Sequence, residues 1–407
     1  MRRPWKNILL LLAGLAAGAA LAEGIARLLP AGRNYGQLAS RRDFLALTRA
    51  DPQYGIVFIP HADGVWDFTG LERVPVRVGF RTVPVPGLPR VGMRDDPPDP
   101  AARTIIALGD SFTFGAAVER PEIWVDRIEA RHPGLNLVNV AQAGGLAKLA
   151  MIYEAVAPAV PHHAVIYEMW LGNEFWDNWM AWRIREGLIP GLPDTDNNLH
   201  DLNRSERIAL HSKLYFLLTE LGARARGLFR RESADPRESL FYEAERLGFQ
   251  DPRYGNFTLF PRNKLGLAYC LAGDEPGVRV GMEETRRALA KIKGLAGGRA
   301  GGRLLVILFP FKEQVYFDLI RDRLPPQVEI ARPDRIVMGY CRELDINCVD
   351  LLPALRARRE RPLYWDYDPH FRPWGQEAAA DEIEKILSVL GWLEFGKASP
   401  PTGGRGQ

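Results

Sequence analysis

From Thr104 onward, unbroken apolar runs alternate with segments of helical periodicity. The apolar runs are "TIIAL", "LNLVNVA", "AVIYEMW", "RLLVILFPF" and "NCVDLL". Amphipathic stretches such as "PEIWVDRIEARH", "LAKLAMIYEAVA" and the closing "GQEAAADEIEKILSVLGWL" lie among them. Uninterrupted apolar strands separated by helices are typical of a parallel sheet covered on both faces. The pattern therefore predicts a three-layer α/β/α domain over residues 101–394, with about five parallel strands.

Three other regions differ from this domain in amino-acid composition and pattern. Residues 31–100 are rich in Pro and Gly and contain alternating patterns such as "VPVRVGF", which predicts a β-rich N-terminal segment of short strands. Residues from about 180 to 265 are dense in Arg, Asn, Asp and Pro around one helical stretch, and we interpret them as an insertion over one edge of the domain. The polar Pro/Gly-rich tail, residues 395–407, is expected to be disordered.

The N-terminal 30 residues have the pattern of an export signal. Basic residues precede an uncharged apolar run from Ile8 to Ala22. Ala20-Leu21-Ala22 fits a signal-peptidase site, whereas the apolar character resuming up to Leu29 fits a retained anchor over residues 8–29. Both alternatives stay open at this point. Either one places the rest of the chain outside the cytoplasm, in the periplasm or another extracytoplasmic space, because the positive charge precedes the apolar run.

Composition excludes some classes of function. The 407 residues carry a formal net charge of +3 with scattered Lys and Arg, which argues against a nucleic-acid surface. The three cysteines are widely spaced, so one disulfide could form, but small buried side chains are the favoured interpretation. The Cys and His residues do not have metal-ligand spacing, so we predict neither a metal nor a cofactor. The oligomeric state is not indicated.

The turn after the first predicted strand carries candidate chemistry. In "TIIALGDSFTFG", Ser111 follows a buried strand and precedes a helix predicted to begin after Val118. Ligands of open parallel sheets bind at the carboxyl ends of the strands, where this turn lies. Asp and Ser are also common turn formers, so the turn taken alone is ambiguous.

Other strand ends add hydrogen-bond donors. Gly144 ends "VNVAQAG", where a backbone N–H can face the crevice, and Asn173 follows "MWLG" with a side-chain amide. Together with a backbone amide at Ser111, these donors could converge on a developing oxyanion, as acyl transfer requires. An ordinary turn at Gly144 and a cap or Asx turn at Asn173 are the simpler alternatives.

A base is available in "YWDYDPHFRPWG". His370 could take the proton of a serine hydroxyl, and Asp368 or Asp366 could hold its other ring nitrogen. A lone histidine before a helix is usually a solvated residue, but two acids and several aromatic residues flank this one.

The motifs "GDSFTFG", Gly144, Asn173 and "DPHFRPWG", in this order between Thr104 and Leu393, resemble the four blocks of the SGNH or GDSL hydrolase superfamily. The resemblance implies a flavodoxin-like sheet and no metal. It implies Ser111 as nucleophile, His370 as general base, and an oxyanion hole formed by Ser111, Gly144 and Asn173. Many members place the acid three residues before the histidine, where this chain has Tyr367; Asp368, two before, resembles the branch that acts in polysaccharide O-acetylation. We therefore prefer Asp368, with Asp366 in reserve.

The predicted function is that of an exported serine esterase acting on acyl esters, acetyl esters above all, of a small molecule or a polysaccharide. One alternative is an O-acetyltransferase acting on a cell-envelope or exopolysaccharide; another is a catalytically inactive glycan-binding or assembly protein. The tryptophans between Trp170 and Trp182 could stack on sugars or simply pack under the insertion. Lys312, in "FPFKEQVY", could begin a helix or contact a sugar. The membrane is a further expected partner if the N-terminal segment is not cleaved.

Overall fold

A computed structural model describes residues 4–29, 33–68, 76–188, 204–229, 249–250, 258–259, 269–270, 276–324, 326–366 and 368–393. The strands are β1 (Thr48–Asp51), β2 (Gly55–Phe58), β3 (Asp63–Asp67), β4 (Arg77–Arg81), β5 (Val83–Val85), β6 (Leu88–Met93), β7 (Arg103–Leu108), β8 (Leu135–Asn139), β9 (Ala164–Trp170), β10 (Phe249–Gln250), β11 (Thr258–Leu259), β12 (Leu304–Phe309) and β13 (Asn347–Asp350). The helices are α1 (Pro4–Leu28), α2 (Arg33–Leu47), α3 (Ser111–Phe114), α4 (Trp124–Arg131), α5 (Leu146–Val156), α6 (Glu174–Arg185), α7 (Arg204–His211), α8 (Lys213–Phe229), α9 (Pro276–Arg299), α10 (Lys312–Val315), α11 (Phe317–Ile320), α12 (Arg332–Glu343), α13 (Leu352–Ala357) and α14 (Pro373–Val389). Two 3₁₀ turns span Arg120–Glu122 and Arg321–Arg323.

A five-stranded parallel sheet forms the centre of the fold, in the order β13-β12-β9-β7-β8. Successive side chains of β7 point to opposite faces: Ile106 and Leu108 pack with α5, α9 and α12, while Ile105 and Ala107 pack with α4, α13 and α14. Both faces are therefore covered, which explains why these strands are mostly apolar instead of alternating between apolar and polar residues. The predicted three-layer α/β/α architecture with five parallel strands is confirmed.

The N-terminal segment contains the predicted short strands and a helix that the sequence pattern did not predict. Strands β1 to β6 form three antiparallel pairs, and α2 precedes them. Apolar side chains of α2, β2 and β4 form a separate cluster that includes Phe114 of the central domain, whose ring stacks on Phe58 with centroids 3.6 Å apart. The apolar side chains of β5 and β6 belong instead to the core on one face of the central sheet. The segment thus packs directly on the turn that contains Ser111.

The described part of the insertion comprises α7, α8 and the two-stranded β10–β11 pair. Residues 189–203, 230–248, 251–257 and 260–265 of the insertion, and the tail over residues 395–407, lie outside the described residues, so the prediction that the tail is disordered is not tested. Glu23 of α1 accepts hydrogen bonds from the backbone amides of Lys213 and Leu214 at the start of α8, at 3.1 and 3.0 Å. Among the described helices, only α1 is long and apolar enough to cross a membrane, over Asn7–Leu28, and an N-terminal signal would have the same character.

The cysteines do not form a disulfide. Cys270 and Cys341 are buried thiols, and Cys348 is a partly buried thiol. The favoured interpretation of these residues as small buried side chains holds for the first two.

Close packing of α9 on α6 gives a test of the fold. A Cβ added at Gly281 would lie 2.0 Å from the carbonyl oxygen of Phe175, whereas one added at Gly294 of the same helix would meet nothing within 4 Å. We expect Gly281→Ala to lower the free energy of unfolding by about 1–3 kcal/mol because the two helices must separate.

Gly294→Ala is the matched control. It should raise the free energy of unfolding by up to about 1 kcal/mol, because alanine loses less backbone entropy in a helix. Thermal unfolding of both variants in the full-length chain, held in a mild detergent, measures the difference. Equal stability of the two variants would contradict this helix packing.

Candidate active site

The turn after β7 is built around Asp110 and Ser111. Asp110 is the N-cap of α3 and accepts a hydrogen bond from the Phe112 amide at 2.9 Å, while Gly115 ends the helix with φ at 80°. The helix predicted after Val118 is present as the 3₁₀ turn Arg120–Glu122 followed by α4. The one-turn helix that begins at Ser111 is an additional element that the sequence pattern did not predict, and the Asp110 cap satisfies an early amide of it. Ser111 is left at the first helical position, at the carboxyl edge of the sheet.

The structure brings Ser111, His370 and Asp368 together, although 259 residues separate the serine from the histidine. The distance from His370 Nε2 to Ser111 Oγ is 2.7 Å, and the distance from His370 Nδ1 to Asp368 Oδ1 is 2.5 Å. The same carboxylate oxygen accepts the backbone amide of His370 at 2.9 Å. With one ring nitrogen facing a carboxylate and the other facing a hydroxyl, the imidazole is oriented as a base toward that hydroxyl.

The two candidate acids have different surroundings. Asp366 forms an ion pair with Arg372. Asp368 contacts His370 directly; burial by itself raises the pKa of the Asp368 carboxyl, but the charge of His370 and its hydrogen bonds outweigh this and bring the pKa below its usual value. A carboxylate that stays ionised is what an imidazolium-forming pair requires.

Gly144 and Asn173 lie at the ends of the strands on either side of β7. Gly144 follows β8 with φ at 112°, a backbone conformation that favours glycine, and Asn173 is the residue before α6 after β9. Its side chain does not cap that helix. Within the described chain, the amides of Ser111 and Gly144 do not donate to another group. These donors are thus available at the edge where Ser111 lies.

The loops that contain Gly144 and Asn173 are joined through Glu174. This buried carboxylate accepts hydrogen bonds from the Leu146 amide at 3.0 Å, from Tyr167 Oη at 2.8 Å and from Asn178 Nδ2 at 2.6 Å. The start of α5 is therefore tied to the start of α6, and the two strand ends are held relative to each other.

Glu168 is a residue that the sequence analysis missed. It is fully buried in β9, and its Oε2 accepts hydrogen bonds from the Asp110 amide at 3.2 Å and the Thr113 hydroxyl at 2.9 Å. Burial, followed by the charge of Asp110, raises the pKa of Glu168 well above its usual value. The signal available in the sequence was a single acid inside an otherwise apolar strand, "AVIYEMW", since acids are rarely fully buried without a partner.

The N-terminal segment holds the loop before Gly144. The side chain of Gln142 accepts the Phe58 amide at 3.2 Å and donates to the Gly92 carbonyl at 2.7 Å, while its backbone amide donates to the Gly109 carbonyl at 3.1 Å. Lys148 donates to the carbonyls of Ile56 and Ala143. Pairing across three parts of the chain in this way cannot be predicted from local sequence.

The tryptophans near the site mostly pack against protein groups. The Trp170 ring lies 5.1 Å from that of Phe112, Trp176 and Trp179 pack edge to face at 4.8 Å, and Arg183 lies 4.8 Å above Trp179. These contacts favour the packing interpretation over a sugar platform.

Burial, the largest cause, raises the pKa of Glu174 from 4.5 to about 7, even though its hydrogen bonds act in the opposite direction. The unfolded chain releases this proton near its ordinary pKa while the folded protein keeps it, so this group lowers the free energy of unfolding as the pH rises from about 4.5 to about 7, by up to about 3 kcal/mol. Glu174→Gln removes the titration. In urea unfolding, the free energy of unfolding of the wild type should therefore fall relative to that of the variant as the pH rises from about 5 to about 8. A difference between the two proteins that does not depend on pH would contradict the assignment.

Comparison with known proteins bears on the carboxyl-terminal part of the chain. Residues 274–399 match the family model described as "SGNH hydrolase-like domain, acetyltransferase AlgX", a range that includes His370 and Asp368 but not Ser111. No curated protein matches the sequence.

Three solved structures illustrate the similar folds. A member of the lipolytic G-D-S-L family from Veillonella parvula DSM 2008 has 13% identity and a TM-score of 0.37, with 70% of this chain and 99% of that chain covered. The acetyl xylan esterase AlAXEase has 10% identity and a TM-score of 0.37, with 70% and 99% covered. A carbohydrate acetylesterase family member from Sinorhizobium meliloti has 8% identity and a TM-score of 0.34, with 71% and 98% covered. Residues 274–399 of this chain resemble an SGNH hydrolase-like domain, which confirms the resemblance that the motifs predict.

Proposed function

We propose that this chain is an exported serine esterase of the SGNH/GDSL type that hydrolyses acyl esters, acetyl esters on carbohydrate in particular. The observation that carries the proposal is the continuous hydrogen-bonded series from Asp368 through His370 to Ser111. The basic residues before the apolar helix α1 support export, with α1 as a signal or an anchor.

In the proposed reaction Ser111 Oγ attacks the ester carbonyl carbon while His370 Nε2 takes the hydroxyl proton. Asp368 holds the imidazole in orientation and stabilises its positive charge. The tetrahedral intermediate collapses by breaking the bond to the alkoxy oxygen, which receives the proton from His370, and an acyl-serine remains. Water, activated by the same imidazole, then attacks the acyl carbon, and Ser111 recovers its proton.

The proposed oxyanion hole consists of the amides of Ser111 and Gly144 and the side chain of Asn173. Support for this assignment comes from the position of the three residues after adjacent parallel strands and from the available amides of Ser111 and Gly144. Preorganised donors of this kind stabilise the negative charge that develops on the carbonyl oxygen.

An O-acetyltransferase is the second candidate, because the matched family model is described as "acetyltransferase AlgX". The first half of the reaction is the same. In the second half a polysaccharide hydroxyl replaces water, forms the new ester bond to the acyl carbon and gives its proton to His370.

Ser111→Ala tests the nucleophile. We expect the variant to lose at least about 10⁴-fold in kcat on p-nitrophenyl acetate, because the acyl-enzyme can no longer form. Wild type, but not Ser111→Ala, should be labelled by a serine-directed phosphonate. Wild-type protein that neither turns over the ester nor reacts with the phosphonate would contradict an esterase and favour the inactive binding protein. An acceptor oligosaccharide is then added to the same assay. If more acetylated oligosaccharide than free acetate forms, the transferase is favoured.

Asp368→Asn and Asp366→Asn form a matched pair that tests the acid. Asp368→Asn should lower kcat by about 10⁴-fold, because an amide cannot stabilise the imidazolium in the required tautomer. Asp366→Asn removes the charge of the partner of Arg372 but keeps a hydrogen-bond acceptor there, so kcat of this variant should fall less than about 10-fold. Steady-state kinetics on p-nitrophenyl acetate decide between them. A larger loss in the Asp366 variant would reverse the assignment of the acid.

A further inference from the structure

The motif "FPFKEQVY" places a lysine beneath the loop that contains His370. Strand β12 ends at Phe309, and Lys312 begins the one-turn helix α10 directly after it. The side chain does not face a solvent-exposed groove where a sugar could bind, because the residue is only 2% exposed. Neither a helix-start role nor a sugar contact therefore describes what its ammonium group does.

Lys312 donates hydrogen bonds to two consecutive backbone carbonyls. Its Nζ lies 2.6 Å from the carbonyl oxygen of Trp365 and 2.8 Å from that of Asp366. Hydrogen bonds from an ionised donor are stronger than those from a neutral donor. Removing the ammonium group would deprive two buried carbonyl groups of this hydrogen bond, which costs free energy. The ammonium therefore fixes the chain immediately before Asp368.

The loop that Lys312 contacts is closed on itself. Tyr364 forms a bridge with Phe371, and the Trp365 amide donates to the carbonyl of His370 at 3.0 Å. Tyr364 Oη also donates to the carbonyl of Pro310 at 2.7 Å, so the segment before Lys312 supports the same loop. A displacement at residues 365 and 366 would consequently be transmitted to the backbone of His370.

The charge of Lys312 has a second effect. It contributes to keeping the pKa of Asp368 low, after the larger contributions of burial, which raises this pKa, and of His370, which lowers it. The positive charge therefore favours the ionised form of the carboxylate that faces the histidine.

We propose that Lys312 is a positioning residue of the candidate active site: through the carbonyls of Trp365 and Asp366 it holds the loop that places Asp368 and His370 against Ser111. Lys312 does not touch the reacting atoms; its hydrogen bonds act through the loop. This inference rests on the proposed function, since it concerns the geometry of the same base.

Lys312→Met, which keeps the length and apolar stem but removes the ammonium, tests the proposal. A displaced base should lower kcat on p-nitrophenyl acetate by about 10²-fold while KM stays within about twofold, because the ester still binds. The second-order rate of phosphonate labelling at Ser111 should fall by a similar factor. Lys312→Arg should recover part of the lost kcat, since a guanidinium can donate to both carbonyls.

Lys385→Met is the matched control. Lys385 lies on α14, its side chain is 63% exposed, and it is paired with Glu382. The kcat of this variant should equal that of the wild type. Thermal unfolding measures whether each variant is folded at the assay temperature. If Lys312→Met is unfolded there, Lys312→Gln replaces it, and the same loss of kcat is expected. A kcat within twofold of wild type, or a raised KM with unchanged kcat, would overturn the proposal. An inactive and unlabelled wild type would instead overturn the proposed function, so the two failures are distinguishable.

Discussion

The candidate site depends on the parallel pairing of three neighbouring strands. Because β9, β7 and β8 run in the same direction, their carboxyl ends lie at one edge of the sheet, and the residues that follow them, Asn173, Ser111 and Gly144, meet there. An antiparallel partner at any of these places would send its loop to the other edge. The apolar faces of the sheet, buried under helices on both sides, keep this pairing in place.

Two buried glutamates, Glu168 and Glu174, hold the loops at the carboxyl edge of the sheet through hydrogen bonds. Glu168 accepts hydrogen bonds from the turn that contains Ser111, and Glu174 joins the start of α5 to the start of α6. Burial raises the pKa of both groups, so each can hold a proton at neutral pH and avoid the full cost of a charge in an apolar interior. Asp368 differs because an ionisable partner, His370, faces it directly. Burial therefore favours the protonated form of Glu168 and Glu174, whereas His370 favours the ionised form of Asp368.

The N-terminal segment packs against the loops of the candidate site. Phe58 stacks on Phe114, and Gln142 bonds to backbone groups at Phe58 and Gly92. Without this segment Gln142 would lose its partners at Phe58 and Gly92, and the apolar side chains of Phe114 and Ala141 would lose their cover. The His370 loop is held from another direction, by the segment after β12 and by Arg372.

By itself, the sequence determined the five apolar strands, the three layers and the short list of polar residues at strand ends, because apolar periodicity and turn chemistry are local properties. It also narrowed the acid to Asp366 or Asp368, two residues apart. Only the tertiary structure decided that Asp368 faces His370 while Asp366 pairs with Arg372, since this depends on how one loop is held against distant chain. The roles of Gln142, Glu168 and Lys312 were likewise beyond the sequence, because their hydrogen-bond partners lie in parts of the chain that only folding brings near.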